Sequence, residues 1–348
     1  MTISLPDHKP EKVVWVISDG IPGHFNQSKG VLLALEHLYS LKVHWVELQL
    51  KSGIYRRILS WLLNRMQPSV NLLSFFYRGQ LPNGTPDLVI GAGGKSMFAV
   101  AWLGQAFTAK TIFAGSLRQL KPALFDAVLI LEPSSQPPFI SVQTAPMPIS
   151  QPILKQAAET WRAERHPSEQ RQPEKLLWAM LIGGDGAGAS YQENDWQTLA
   201  QQMNALAEQH GIQWLVTTSR RTSVSAEQIL SQSLNQEVLA DAVWWSEAPR
   251  PVTSAYLGLC EVVYCTVDSM SMMMESVSAM RPVVAVIPQY FSPDHNFQNA
   301  MDRLQQQKLV LRSAIQQLHE NQSQLMQVQP LLQEPALNLA DQLKQYLQ

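Results

Sequence analysis

Short apolar runs alternate along this chain with longer segments of helical period, and that alternation limits the fold more than any other feature. Run 13–17 is followed by helical segment 27–39, run 43–48 by segment 54–66, and further runs stand at 87–90, 110–113 and 126–131, with a helical segment 95–106 between the first two of these. Strands that cross over through helices build a parallel sheet. The order breaks over 132–174, where Pro133, Pro137, Pro138, Pro146, Pro148, Pro152, Pro167 and Pro173 leave room only for a short polar helix around 154–164. It then restarts with strands 176–182, 213–217, 261–265 and 283–286 and helices 195–210, 226–234 and 270–280. The expected architecture is α/β: two similar parallel-sheet domains that leave a cleft between the carboxyl ends of their sheets. Their expected limits are 1–150 and 175–325, with a proline-rich linker at 151–174 and a C-terminal helix in 326–348 strapping back onto the first domain. Open parallel sheets bind ligands beyond the carboxyl ends of their strands, so the strand-to-helix loops should carry the chemistry.

Composition removes several function classes. The 348 residues are 45% hydrophobic and carry 26 Lys+Arg against 28 Asp+Glu, for a formal charge of −2. A disordered chain is excluded, and nucleic acid is disfavoured because the cationic excess of a phosphate-tracking protein is missing. The only cysteines, Cys260 and Cys265, lie in an apolar run, which fits core filling and neither a disulfide framework nor a zinc site. The polar start MTISLPDHKPEK and the lack of a long uncharged apolar stretch point to a cytoplasmic protein.

Five loops hold the candidate residues. After the first strand, Ser18-Asp19-Gly20-Ile21-Pro22-Gly23-His24-Phe25-Asn26-Gln27 offers His24 as a proton acceptor, with Asp19 to orient it or to act as the base itself. The bland alternative is a turn in which Asn26 caps the next helix. Gly91-Ala92-Gly93-Gly94-Lys95-Ser96 resembles the end of a phosphate-binding loop but has Val89 where that pattern needs glycine, so ATPase chemistry is disfavoured. Anion contact through Gly93, Gly94 and Lys95 competes with simple close packing. Gly183-Gly184-Asp185-Gly186-Ala187-Gly188-Ala189 fits a weak dinucleotide fingerprint, yet the next strand ends in Thr217-Thr218-Ser219-Arg220-Arg221, whose hydroxyls and guanidiniums suit a diphosphate better. In Thr266-Val267-Asp268-Ser269-Met270-Ser271-Met272 a strand runs into a helix start, where hydroxyls and amides suit phosphate. Glu275 lies one turn deeper on the face of Ser271, and its carboxylate suits a ribose diol. The alternative makes Asp268 and Ser269 caps and Glu275 a surface charge. Finally, His295, Asn296 and their neighbours suit sugar hydroxyls, with Asp294 as a candidate N-cap.

At these residues the sequence resembles the family named for the plant mitochondrial fission factor ELM1, whose bacterial members are grouped with glycosyltransferases of the lipooligosaccharide outer-core type. The matching pieces run from Asp19-Gly20-Ile21-Pro22-Gly23-His24-Phe25-Asn26-Gln27-Ser28 through Asp87-Leu88-Val89-Ile90-Gly91-Ala92-Gly93, Thr217-Thr218-Ser219-Arg220 and Thr266-Val267-Asp268-Ser269-Met270-Ser271-Met272 to Glu275 and His295-Asn296-Phe297-Gln298-Asn299-Ala300, most of the chain. A more distant likeness is to the lipid-acceptor transferases that add N-acetylglucosamine in peptidoglycan synthesis. The resemblance implies a GT-B fold, two Rossmann-like, doubly wound parallel-sheet domains facing a cleft, with an acceptor site on the first domain and a nucleotide-sugar donor on the second. It implies His24 as the base, beside which the loop readings set Asp19 as a second catalytic candidate and Gly23, Asn26, Gln27, Gly93, Gly94 and Lys95 as acceptor or anion-binding candidates. For the donor it implies Glu275 as the ribose contact, Ser269 and Ser271 as diphosphate contacts and His295 and Asn296 as sugar contacts, and the loop readings add Gly183, Gly184, Ser219, Arg220, Asp268 and Met272. Relatives often carry Ser or a basic residue where this chain has Asp185, a departure that bears on the donor. No cofactor and no metal are expected, because no DxD motif suits Mg²⁺.

Residues 54–77 mix apolar side chains with Arg56, Arg57 and Arg65, and Arg78 follows directly. That pattern fits an interfacial helix on anionic lipid at the inner face of the membrane, or else a pair of core helices around Pro68. The expected function is transfer of a sugar from a nucleotide-sugar to an acceptor hydroxyl, a glycolipid or cell-envelope saccharide. A non-catalytic adaptor that recruits a membrane-remodelling partner and a nucleotide-sugar epimerase are the alternatives.

Overall fold

The first apolar run forms strand β1 (Glu11–Ser18), and the alternation it begins produces a sheet of six parallel strands. In the computed structural model, which describes residues 9–67, 69–165 and 175–347, β1 is followed by β2 (Ser40–Glu47), β3 (Leu88–Ala92), β4 (Lys110–Ala114), β5 (Ala127–Ile130) and β6 (Phe139–Ser141). Their order is β2-β1-β3-β4-β5-β6, with every pair parallel. Both faces of the sheet are apolar, and each finds its own cover. Trp15, Ile17, Val89, Phe113 and Val128 pack against α2 (Tyr55–Leu63) and α3 (Met97–Phe107). Val14, Val16, Leu88, Ile90, Ile112 and Leu129 pack against α1 (Pro22–Glu36) and the C-terminal helix Pro335–Leu347, through Val31, Leu35, Leu339 and Leu343. This unit is therefore discontinuous in sequence, comprising Met1–Pro148 and Pro335–Gln348, while Ile149–Glu334 forms the second unit.

The second unit begins with a helix, α4 (Gln151–Arg165), followed by β7 (Leu177–Leu181), α5 (Glu193–His210), β8 (Gln213–Thr217), α6 (Val224–Ser233), β9 (Leu239–Val243) and α7 (Thr253–Leu259). The chain continues through β10 (Val262–Thr266), α8 (Met270–Ser278), β11 (Val283–Ile287), α9 (His295–Gln306) and β12 (Val310–Ala314). Its sheet, also parallel throughout, runs β9-β8-β7-β10-β11-β12. This is the doubly wound order in which the first strand lies at the centre and the chain changes direction beside it. Cys260 and Cys265 are free and buried, and burial pushes the Cys260 thiol up to about 12.

Three expectations need correction. The proline-rich linker is not a linker over 151–165: that segment is helix α4, part of the second unit. Pro152 sits in its first turn, where a missing N–H costs nothing, and Leu154, Ala158 and Trp161 face inward at helical spacing. The helix lies so close to α7 that a Cβ on Gly258 would stand 2.3 Å from the Leu154 carbonyl oxygen, and the Trp161 indole donates to Asp241 at 3.0 Å. The last helix starts at Pro335, and 326–334 belongs to the second unit. The helix after β1 begins at Pro22 with Ile21 as its N-cap, so Asn26 lies inside it and does not cap it. Residues 1–8, Pro68 and the linker remnant 166–174 lie outside the described residues. No described helix is long and apolar enough to cross a membrane.

Candidate functional site

In the first unit the chain reverses its winding between β1 and β3, and the loops leaving those two strands meet. Asp19 follows β1 directly, and its side chain is 1% exposed. One of its oxygens accepts from the Ile21 amide at 3.2 Å, and both lie 3.0 Å from Nδ1 of His24 in the first turn of α1. A carboxylate only accepts, so this contact requires the hydrogen on Nδ1 and leaves Nε2 of the neutral ring with its lone pair outward. The His24 side chain keeps 29% exposure, enough to meet a ligand. Its ring rests on the loop after β3. Gly93 has φ +84°, and a Cβ there would stand 2.1 Å from Cε1 of His24, so both the backbone angle and the space demand glycine. Next to it, a Cβ on Gly94 would stand 3.0–3.1 Å from the guanidinium of Arg118, which comes from the turn after β4.

Ser96 ties this loop down by donating to the carbonyls of Ala92 and Gly93 at 2.7 and 3.0 Å, and Tyr77 donates to the Lys95 carbonyl at 3.0 Å. Lys95 itself is exposed, and Gly23 and Gln27 are half-buried on the first turns of α1 with Asn26. The structure thus groups Asp19, His24, Gly93, Gly94 and Lys95, and adds Arg118, which no motif marks in the sequence.

The second unit repeats the arrangement with different chemistry. The crossover falls between β7 and β10, and the loops after β7, β8 and β10 interlock. A Cβ on Gly183 would stand 1.9 Å from Oδ2 of Asp268, and one on Gly184 2.2 Å from the carbonyl oxygen of Arg221. Both glycines are buried, and their missing side chains leave room for Asp268 and for the Arg221 backbone. Asp268 is buried and paired with Arg221 at 2.5 Å, with the Tyr191 hydroxyl 3.5 Å away. Burial holds its carboxyl above the usual carboxylate range, opposed by a hydrogen bond from Thr266 and by the Arg221 charge. Tyr191 stacks on Trp196, and its phenol is pushed well above its ordinary value by burial and then by the Asp268 charge.

Ser219 donates to the Gly183 carbonyl at 2.9 Å and accepts from the Arg221 amide at 3.2 Å. Both arginines are exposed, and Arg221 reaches Asp268 with its guanidinium. Asp185 accepts from the Tyr191 amide at 2.8 Å, which gives its charge a role in the loop itself. Ser269 is the N-cap of α8, its hydroxyl accepting from Met272 at 3.4 Å and standing 3.4 Å from that of Ser271. Ser271, Met272 and Glu275 are half-buried along the helix.

The loop after β11 joins this group through a two-residue antiparallel ribbon that pairs Ala189–Ser190 with Tyr290–Phe291. It presents His295 and Asn296 exposed on the first turn of α9, with His295 held 2.8 Å from Asn299 and Asp294 capping the helix through Phe297. Tyr191 was the part of this cluster that the sequence left unmarked. Its only signal is the aromatic spacing with Trp196. Among the described residues, no three His, Cys, Asp or Glu side chains are grouped to hold a metal ion.

Two parallel six-stranded α/β units, each with its loops gathered at a topological switch point, define the GT-B class of fold. The same fold is found in the UDP-GlcNAc 2-epimerase of Methanocaldococcus jannaschii, at TM-score 0.55 and 9% identity over 96% of this chain and 99% of that one. It is found in the glycotransferase of kitacinnamycin, at 0.51 and 12% over 98% and 100%, and in S. aureus MnaA, solved with UDP, at 0.50 and 12% over 96% of each chain. The family described as mitochondrial fission ELM1 matches residues 22–344, and the chain belongs to that family. No curated protein matches the sequence.

Proposed function

We propose that the protein is a glycosyltransferase that moves a sugar from a nucleotide-sugar to an acceptor hydroxyl on a glycolipid or cell-envelope saccharide. The Asp19–His24 pair carries this reading, because a buried carboxylate behind a partly exposed imidazole is the arrangement a general base needs. Nε2 of His24 takes the hydroxyl proton as the acceptor oxygen bonds to the anomeric carbon, and the bond from that carbon to the diphosphate breaks. The donor belongs to the second unit. The hydroxyls of Ser269 and Ser271 and the amides opening α8 meet the negative charge of the leaving diphosphate, so the reaction needs no metal. Glu275 holds the ribose, and His295 and Asn296 the sugar.

The test is calorimetric titration with UDP, GDP, CDP and CMP, without metal and then with Mg²⁺. One nucleotide should bind at micromolar concentration without metal. Glu275→Ala should weaken it by roughly 1–3 kcal/mol, the scale of hydrogen bonds to a charged group. Failure of all four to bind would reject the donor site and favour an adaptor. Binding followed by epimerisation of the free nucleotide-sugar, with no transfer to any acceptor, would reject the transferase.

A further inference from the structure

The segment between β2 and β3 has an unusual charge balance. From Leu48 to Pro86 it carries Lys51, Arg56, Arg57, Arg65 and Arg78 and no Asp or Glu, in a chain where acids outnumber bases by 28 to 26. Its two helical pieces are built like the rest of the unit on one side only. Leu59, Leu63, Leu73 and Phe76 enter the core beside α3. On the outside, Ile54 at the N-cap of α2 and Ile58 and Trp61 within it recur at helical spacing and are 76%, 45% and 52% exposed, and Leu72 and Phe75 beyond them are 50% and 62% exposed. The pieces are joined: the rings of Tyr55 and Phe75 lie 5.8 Å apart, and Lys51 donates to the Ser74 carbonyl. The end of α2 is fixed as well, since Asn64 donates to the Gln119 carbonyl at 2.8 Å and accepts from the Lys121 amide at 2.9 Å. The guanidinium of Arg65 lies 5.1 Å from the Trp61 ring, so a cation borders the apolar face directly.

We infer that this face is a docking surface for an anionic lipid bilayer. An apolar stripe with a tryptophan and a phenylalanine, edged by arginines and free of acids, matches the acyl boundary beneath a layer of negative headgroups. The rings and aliphatic chains enter the boundary, and the long arginine side chains stay at headgroup level. Nine residues of α2 lie along such a surface and are too few to cross it. The attraction between arginines and headgroups makes the contact selective for negative membranes and sensitive to salt. It holds whether or not the protein transfers a sugar.

The test is flotation of the full chain with vesicles of phosphatidylcholine alone or with 30 mol% phosphatidylglycerol. Binding to the anionic vesicles should be at least about tenfold stronger and should fall in high salt. The double variants Ile54→Ser with Phe75→Ser, and Arg57→Glu with Arg65→Glu, should each lose at least about tenfold with an unchanged melting temperature, since all four side chains are exposed. Equal binding to both vesicles, binding to neither, or anionic binding unaffected by the two variants would overturn the inference. So would a concentration-dependent dimer in sedimentation that Ile54→Ser with Phe75→Ser abolishes, because a second copy would then be the occupant.

Discussion

His24 is held from two directions, by a carboxylate on one ring nitrogen and by a glycine backbone under the ring face. Both constraints aim Nε2 without using it, so removing the imidazole should cost chemistry and not nucleotide affinity. His24→Ala is expected to lower turnover by about 10²–10⁴-fold, the usual contribution of a general base, with the dissociation constant for the nucleotide unchanged. Turnover and calorimetric titration on one preparation check this, and an unchanged turnover would remove His24 from the mechanism. Asp268 offers a second test, through protons. Its carboxyl is held above the usual range, so the folded state binds a proton more tightly there than the unfolded chain. Its contribution to stability is full at acid pH and is lost as pH rises through and above the ordinary carboxylate range. Asp268→Asn does not titrate. The melting temperature of wild type minus that of the variant should therefore be larger at pH 3.5 than at pH 7, and a difference that grows with pH would contradict the assignment.

At the scale of elements, each site exists because two loops leave adjacent strands on either side of a crossover. Gly93→Ala tests that architecture without replacing a reactive group. The new methyl would occupy the space of the His24 ring at a φ that L residues avoid. Turnover should fall toward the level of His24→Ala, and stability by about 1–3 kcal/mol, read by turnover and thermal unfolding. Full activity would mean that the ring does not sit on this loop during catalysis.

The same architecture decides what the sequence discloses. Strands buried on both faces read as continuous apolar runs, and β1, β3, β7, β10 and β11 stand out for that reason. The edge strands β9 and β12 carry Asp241 and Arg312, and β6 follows Pro137 and Pro138, so none has the pattern of a buried strand. The glycine-rich loops were legible as loops, but not their purpose: that Gly183 yields its space to Asp268 depends on two segments 85 residues apart in sequence. Arg118 has no motif around it and enters the site only because β4 lies next to β3.

In the whole molecule, the C-terminal helix is an integral part of the first unit's core. Leu343 is fully buried among residues from β1, β3 and α1, and Leu343→Ala should destabilise that unit by about 2–5 kcal/mol, measured by urea unfolding. A loss below about 0.5 kcal/mol would show that the helix is not packed there. The placement of this helix also bears on biosynthesis. The strands of the first unit leave the ribosome early, but the part of one sheet face that α1 does not cover stays open until residues 335–347 follow. The whole of Ile149–Glu334 must be translated in between, which at ~5–20 residues per second takes on the order of 10–40 s. Throughout that interval the nascent first unit leaves the apolar strip under its last helix open to chaperones, whereas the second unit, continuous in sequence, has every residue it needs as soon as Glu334 is made.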